Sequence, residues 1–225
     1  MKSNSLETSG MAEEYDPQPR WLAVVAVLAV GGLNMALPEV LTLGPRWLFP
    51  SIVLALLIPS VVSYHAGRHL LNAIFGFAVD VVLTAGLIIS VILLIDALPT
   101  SKETPQQLLL SAALLWTTNI LVFALWYWRL DAGGPHQRDK RPGHSDGAFL
   151  FPQMMMSEAT LKEAGQDDWS PNFIDYLFLA FNTSTAFSPT DTLVLARWAK
   201  ILMMIQSLLS LLIVALLAAR AINIL

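Results

Sequence analysis

The sequence predicts an all-α fold: a polytopic membrane helix bundle of five transmembrane helices, plus a short re-entrant or buried helix before the last span. The prediction rests on three observations. The chain of 225 residues is 55% hydrophobic and only 13% charged, against about 25% charged in an ordinary soluble domain. Its charges are segregated, which leaves windows of about 20 apolar residues, the length that crosses a bilayer. A short apolar segment, 173–181, is followed by a polar break, 182–191, and then by a final membrane-length run. Irregular backbone at membrane depth survives only where it is buried in protein or lines a watery cavity, so this last stretch is the best functional clue. The net charge of −4 gives no reason to expect nucleic acid as a partner. The absence of cysteine excludes disulfides and thiolate metal sites.

In chain order, residues 1–20 are polar and mildly acidic (Glu7, Glu13, Glu14, Asp16) and read as a disordered tail. They lack the basic start of a signal peptide, so the first span is expected to be retained. A four-span bundle covers 21–128. Its first span, 21–38, is ended by Pro38 and Glu39, and its second, 47–64, opens after Gly44 and Pro45. The third, 71–98, is stopped by Asp96 and Pro99. The fourth, 107–128, ends in an interfacial belt of Trp126, Tyr127 and Trp128. The fifth span is 201–222. With the N-terminus inside, Lys2, Arg20, Arg68, Arg129, Arg138, Lys140, Arg141, Lys162, Arg197 and Lys200 lie in the cytoplasm, and only Arg46, Lys102 and Arg220 lie outside. Positive-inside counting therefore predicts a multi-pass protein of the cell (plasma or inner) membrane with a cytoplasmic N-terminus.

The 129–170 segment is expected to be a soluble, cytoplasmic loop. It opens with a turn signal, LDAGGP at 130–135. The basic cluster 138–141 reads either as a contact with anionic lipid or as a topology determinant. The apolar island 149–156 reads as loop packing or as a partner site. A short helix is expected over 157–164, capped by Ser157 and closed by Gly165.

The C-terminal unit, 171–225, starts with Ser170 as N-cap and Pro171 at the first helical position. About twelve helical residues rise about 18 Å, too short for a core of about 30 Å. Asp175 and Asn182 are seven apart and share one face. Ser188-Pro189-Thr190-Asp191 repeats a helix start, with Asp191 as the capping acid, so the last helix is expected to begin near Pro189. A helix lying along the membrane surface is the alternative, but it would show a broad charged face, and here only Asp175 is charged. The pore or permeation candidates are Asp175, Asn182, Thr185 and Asp191, with Gln206 and Ser210 from the last span. The plainer reading of Gln206 and Ser210 is hydrogen-bonded glue between helices.

Within the other spans, Asp80 is an intramembrane carboxylate with no basic partner in any span, a functional candidate by default. Asn72, Gly76, Asp80 and Thr84 form one stripe, either a proton or cation site or a structural hydrogen bond. Asn119 (beside Thr117 and Thr118) and Asn34 (beside Gly32 and Ala36) read as helix glue. His65 and His69 are spaced to share a helix face, and His136 and His144 fall in the loop. No metal site, cofactor or enzymatic constellation is expected. The expected partners are the lipid bilayer, an inorganic ion, and further copies of the chain in a homo-oligomer, since one hairpin cannot enclose a pore.

The order short helix, threonine-bearing turn, aspartate, arginine, spanning helix at 173–219 resembles the pore helix, filter and inner helix of potassium channels. Thr185 and Asp191 fall on that pattern, but Phe187, Ser188, Pro189 and Thr190 replace the filter glycines. Aligned carbonyls need those glycines, so the resemblance does not imply potassium selectivity. The stretches LPEVLTLGPRWLFP (37–50), WTTNILVFALWYWRLDAGGP (116–135), FLFPQM (149–154) and 176–225 resemble a widespread bacterial family of uncharacterised multi-span membrane proteins, a domain of unknown function. Arg129 stands where that family would have an acidic residue. The resemblance implies membrane location and architecture and lends no activity. Two functions are expected: a channel-like or permeation protein without a potassium-selective filter, or a non-transporting scaffold or partner subunit. A monomeric carrier centred on Asp80 ranks below both, because five spans without repeats are few for alternating access.

Overall fold

Runs of apolar residues punctuated by proline and glycine make this chain mostly helical. The computed structural model describes residues 18–97, 105–140, 147–166, 169–188 and 191–222. Residues 1–17 of the tail expected over 1–20 lie outside the described residues, as do Lys102, Arg141, His144, Pro189 and Thr190. The helices are α1 (Trp21–Ala36), α2 (Leu48–His65), α3 (His69–Ala97), α4 (Pro105–Leu130), α5 (Pro135–Arg138), α6 (Glu158–Glu163), α7 (Phe173–Thr185) and α8 (Arg197–Ile222). Two short strands, β1 (Phe149–Leu150) and β2 (Leu193–Val194), complete the set.

Four helices, α2, α3, α4 and α8, are long and apolar enough to cross a membrane. The first expected span is shorter than its hydropathy window. Its helix ends at Ala36, and Leu37 is extended (φ −70°, ψ 147°), because a residue before proline is pushed out of the helical region. The resulting helix has 16 residues, about 24 Å at 1.5 Å each. Proline has the opposite outcome in α2, which continues through Pro59.

α4 is the hub of the bundle and packs against α1, α3, α7 and α8, while α2 and α3 form a closely packed hairpin. α7 starts beside the end of α4, where the Phe173 and Trp128 rings meet edge to face. Eleven residues later Ser184 reaches Asn119, midway along α4, and Ser210, midway along α8. The chain then climbs back to β2, and Trp198 at the start of α8 packs on Phe149. α7 therefore runs down into the bundle and its connection returns to the same end. Its inner face (Tyr176, Leu179, Ala180, Thr183, Ser184) is buried, and Ile174, Phe178 and Phe181 are exposed.

Three local expectations are corrected. The N-cap of α7 is Asn172 rather than Ser170, and Asp175 closes a capping box by accepting from the Asn172 backbone N–H at 2.8 Å. α8 begins at Arg197 rather than near Pro189. The intervening residues are taken by β2, which pairs antiparallel with β1 (Phe149 opposite Val194, Leu150 opposite Leu193). The fold stays mostly helical with this one two-stranded ladder, and the apolar island packs as the loop-packing reading expects. Phe149 and Phe151 of the apolar island are buried in the bundle end.

Candidate functional site

Two polar systems occupy the bundle. The first lies where α4, α7 and α8 meet. The Tyr127 hydroxyl donates to Gln206 Oε1 at 2.5 Å, and Gln206 Nε2 donates to the Ala180 carbonyl at 2.7 Å and to Ser184 Oγ at 2.8 Å. Ser210 Oγ donates to the Ser184 carbonyl at 2.7 Å and accepts from Trp116 Nε1 at 2.9 Å. Asn119 Nδ2 points to Ser184 Oγ and to the Gln206 carbonyl. Asn119, Gln206 and Ser210 have no exposed surface. A side chain without exposed surface lines no open path in the single chain, so Gln206 and Ser210 act here as glue between helices.

The other hairpin candidates are scattered. Asp175 is half-buried in its cap and Asn182 is half-buried with Nδ2 lacking a partner among the described residues. Thr185 is exposed and donates to the Phe181 carbonyl, and Asp191 is exposed beside β2.

The second system runs inside α1–α4. Asp80 is fully buried, and Arg129 from the last turn of α4 forms an ion pair with it through Nε. This corrects the expectation that Asp80 has no basic partner. Arg129 follows an aromatic belt and so looks like an interfacial residue, but its side chain turns inward. Gly76 makes the pair possible, since a Cβ there would overlap the Arg129 guanidinium. The rest of the stripe is also bonded. Thr84 Oγ1 donates to the Asp80 carbonyl at 2.7 Å and accepts from Trp126 Nε1 at 2.8 Å, and Asn72 Nδ2 donates to the Ser60 carbonyl at 2.9 Å.

Cavities lie on either side of this level. The upper one, about 580 Å³, sits between α1, α2, α3 and the end of α4, with Arg20, Tyr64, His65, His69, Arg129 and His136 among its walls. Along the helices, Val27, Val53, Val79, Leu83 and Val122 form the next layer, and each is buried, 3% exposed or less. Beyond this layer a small cavity of about 10 Å³ is lined by Asn34, Ser90 and Thr118, enough for about one water. At the far end a pocket of about 470 Å³ is lined by Glu39, Arg46 and Gln107, and Leu37 borders both this pocket and the void above it.

The rim of the upper cavity is fixed by contacts that the sequence did not suggest. His65 ends α2 and His69 starts α3, so they do not share a helix face. His69 instead stacks on His136, with ring centroids 3.5 Å apart and planes at 17°. His136 is held below the usual imidazole range, first by burial and then by His69. Arg20 pairs with Asp139 at 2.7 Å and lies over the Tyr64 ring. Arg138, expected in an exposed basic cluster, is 1% exposed and donates to the Trp128 and Asp131 carbonyls at 2.8 Å. The buried Asp131 carboxylate accepts from the Tyr176 hydroxyl at 2.6 Å and from the Ala148 N–H. This latch ties the loop to α4 and α7. The GGP turn at 133–135, which folds α5 back onto the end of α4, was the available sequence signal for it.

Comparison of the chain with protein-family models, with curated proteins and with solved structures finds no match.

Proposed function

We propose that this is a permeation protein of the cell membrane whose path runs inside α1–α4 rather than along the 173–191 hairpin. The observation that carries the reading is the file of cavities, larger at both ends, separated by the buried layer of Val27, Val53 and Leu83, and placed beside the one buried ion pair of the α1–α4 core among the described residues. An intramembrane ion pair beside such a layer is expected to act in function. The conformation is closed. In this reading α1 is a fifth span, α7 and its return form a re-entrant hairpin, and the N-terminus and the upper cavity face the cytoplasm, in keeping with the basic-residue count and with the resemblance to a multi-span bacterial family. A path within one chain does not need a homo-oligomer to enclose it. The scaffold reading has less support, because burial of Phe149 and Phe151 leaves Met155 and Met156 as the exposed apolar residues of the island.

The cysteine-free chain allows a direct test. Single variants Ala73→Cys (upper cavity), Ser90→Cys (middle cavity, 2% exposed) and Glu39→Cys (lower pocket) are labelled in sealed vesicles with a charged, membrane-impermeant thiol reagent. Ala73→Cys and Glu39→Cys should label from opposite sides. Ser90→Cys should label slowly, each time the path opens. If Ser90→Cys is never labelled while the other two are, no path opens and the proposal fails.

A further inference from the structure

The upper cavity has an unusual wall. Three imidazoles (His65, His69, His136) and two guanidiniums (Arg20, Arg129) line it, and no aspartate or glutamate is among its described lining residues. The acids that pair with the arginines, Asp139 and Asp80, are not part of the wall. Three of its lining residues carry a buried donor that lacks an acceptor among the described residues: Nε2 of Gln18, a residue only 5% exposed, Nε of Arg20 and Nε1 of Trp128. Leaving a buried donor unsatisfied costs about 1–3 kcal/mol, so three of them at one cavity call for an acceptor oxygen from outside the described residues. The remaining wall is apolar, with Val24, Leu57, Val61, Ala73 and Phe77 running away from the rim. At about 580 Å³ the space lies within the usual range of small-molecule sites, about 300–1,000 Å³.

We infer that the upper cavity binds a single-chain amphiphile with an acidic oxygen head, a phosphate or carboxylate, whose head meets Gln18, Arg20 and His69 and whose tail lies along Leu57, Val61 and Phe77. The inference names the ligand class of the proposed path and rests on that reading only in treating the cavity as a binding site. The same head chemistry is carried by membrane-derived lipids and by soluble phosphate, and the test separates them.

Native mass spectrometry of the full chain in a neutral detergent, with dodecyl phosphate, dodecylphosphocholine and inorganic phosphate as probes, tests it. Dodecyl phosphate should bind one per chain and about tenfold more tightly than dodecylphosphocholine, the scale of one or two hydrogen bonds to a charged head. Ala73→Phe, which fills the cavity, should abolish binding. Gln18→Leu should weaken it about tenfold, on the same scale. Equal binding of the two amphiphiles, lost in Ala73→Phe, would overturn the acidic head while leaving the cavity as a site. Binding of dodecyl phosphate that persists in Ala73→Phe would overturn the placement. Inorganic phosphate binding as tightly as dodecyl phosphate would overturn the apolar tail and point to a soluble source. An unlabelled Ser90→Cys alongside intact dodecyl phosphate binding would sink the path and spare the site.

Discussion

Asp80 and Arg129 lie 49 residues apart in sequence and meet inside the bundle, near the end of α4. A buried pair like this contributes little net stability, but removing one partner strands the other charge at a cost of about 3–5 kcal/mol. Asp80→Leu alone is therefore expected to destabilise the protein by about that much, and adding Arg129→Met should recover most of the loss. Unfolding in detergent, followed as a double-mutant cycle, measures both. Gly76→Ala should lower stability in the same assay, because the new methyl occupies the guanidinium's place; an unchanged midpoint would mean that Arg129 has another route inward. At the rim, His136 has a depressed pKa from burial and from His69, Lys140 and Arg20, with Asp139 opposing. Unfolded, His136 takes its proton near pH 6.5; folded, it does so lower. Between the two values the unfolded chain binds more protons, so stability falls as pH drops below about 6.5. Comparing thermal midpoints from about pH 7 to about pH 5.5, His136→Phe should show a smaller fall than the wild type.

At the scale of elements, α7 is held at one end by its capping box and at the other by Gln206. Replacing an N-cap asparagine by alanine costs about 1 kcal/mol, whereas Gln206→Leu orphans the Tyr127 hydroxyl and removes both donor contacts of Nε2. Each orphaned buried group costs about 1–3 kcal/mol. Hydrogen exchange in α7 is thus expected to rise far more in Gln206→Leu than in Asn172→Ala, while the α2–α3 hairpin stays protected in both. Equal effects would mean that the cap, rather than the knot, seats the helix. The short β1–β2 ladder and the Asp131–Tyr176 bond close the same unit from the opposite side. They seat residues 147–151 on the bundle end, while most of 155–166 stays exposed.

For the whole molecule, the proposed path requires the buried layer of Val27, Val53, Val79, Leu83 and Val122 to part. Its members are aliphatic and nearly inaccessible, so a smaller side chain there should admit water to the cavity beyond. Leu83→Ala is expected to raise the labelling rate of Ser90→Cys several-fold without altering that of Glu39→Cys. An unchanged rate would place the barrier elsewhere in the bundle. The exposed apolar face of α8, including Ile201 and Leu208, belongs to a helix long and apolar enough to cross a bilayer.

Sequence by itself determined the membrane-length helices, the stops at Pro38 and the GGP turn, and the short helix with its polar break. These follow from local quantities: the length of an apolar run, the fixed φ of proline, and the spacing of cap residues. Its errors were also local ones, since Asn172 and Ser170 are both good N-caps and only the capping box with Asp175 selects between them. Tertiary structure alone decided which polar residues meet. Asp80 finds Arg129, Gln206 finds Tyr127 79 residues away, Arg138 turns inward, and the residues ahead of α8 form a strand. Each outcome depends on which helices are neighbours and how they are rotated, because a polar side chain in an apolar bundle takes whichever partner the packing brings within reach.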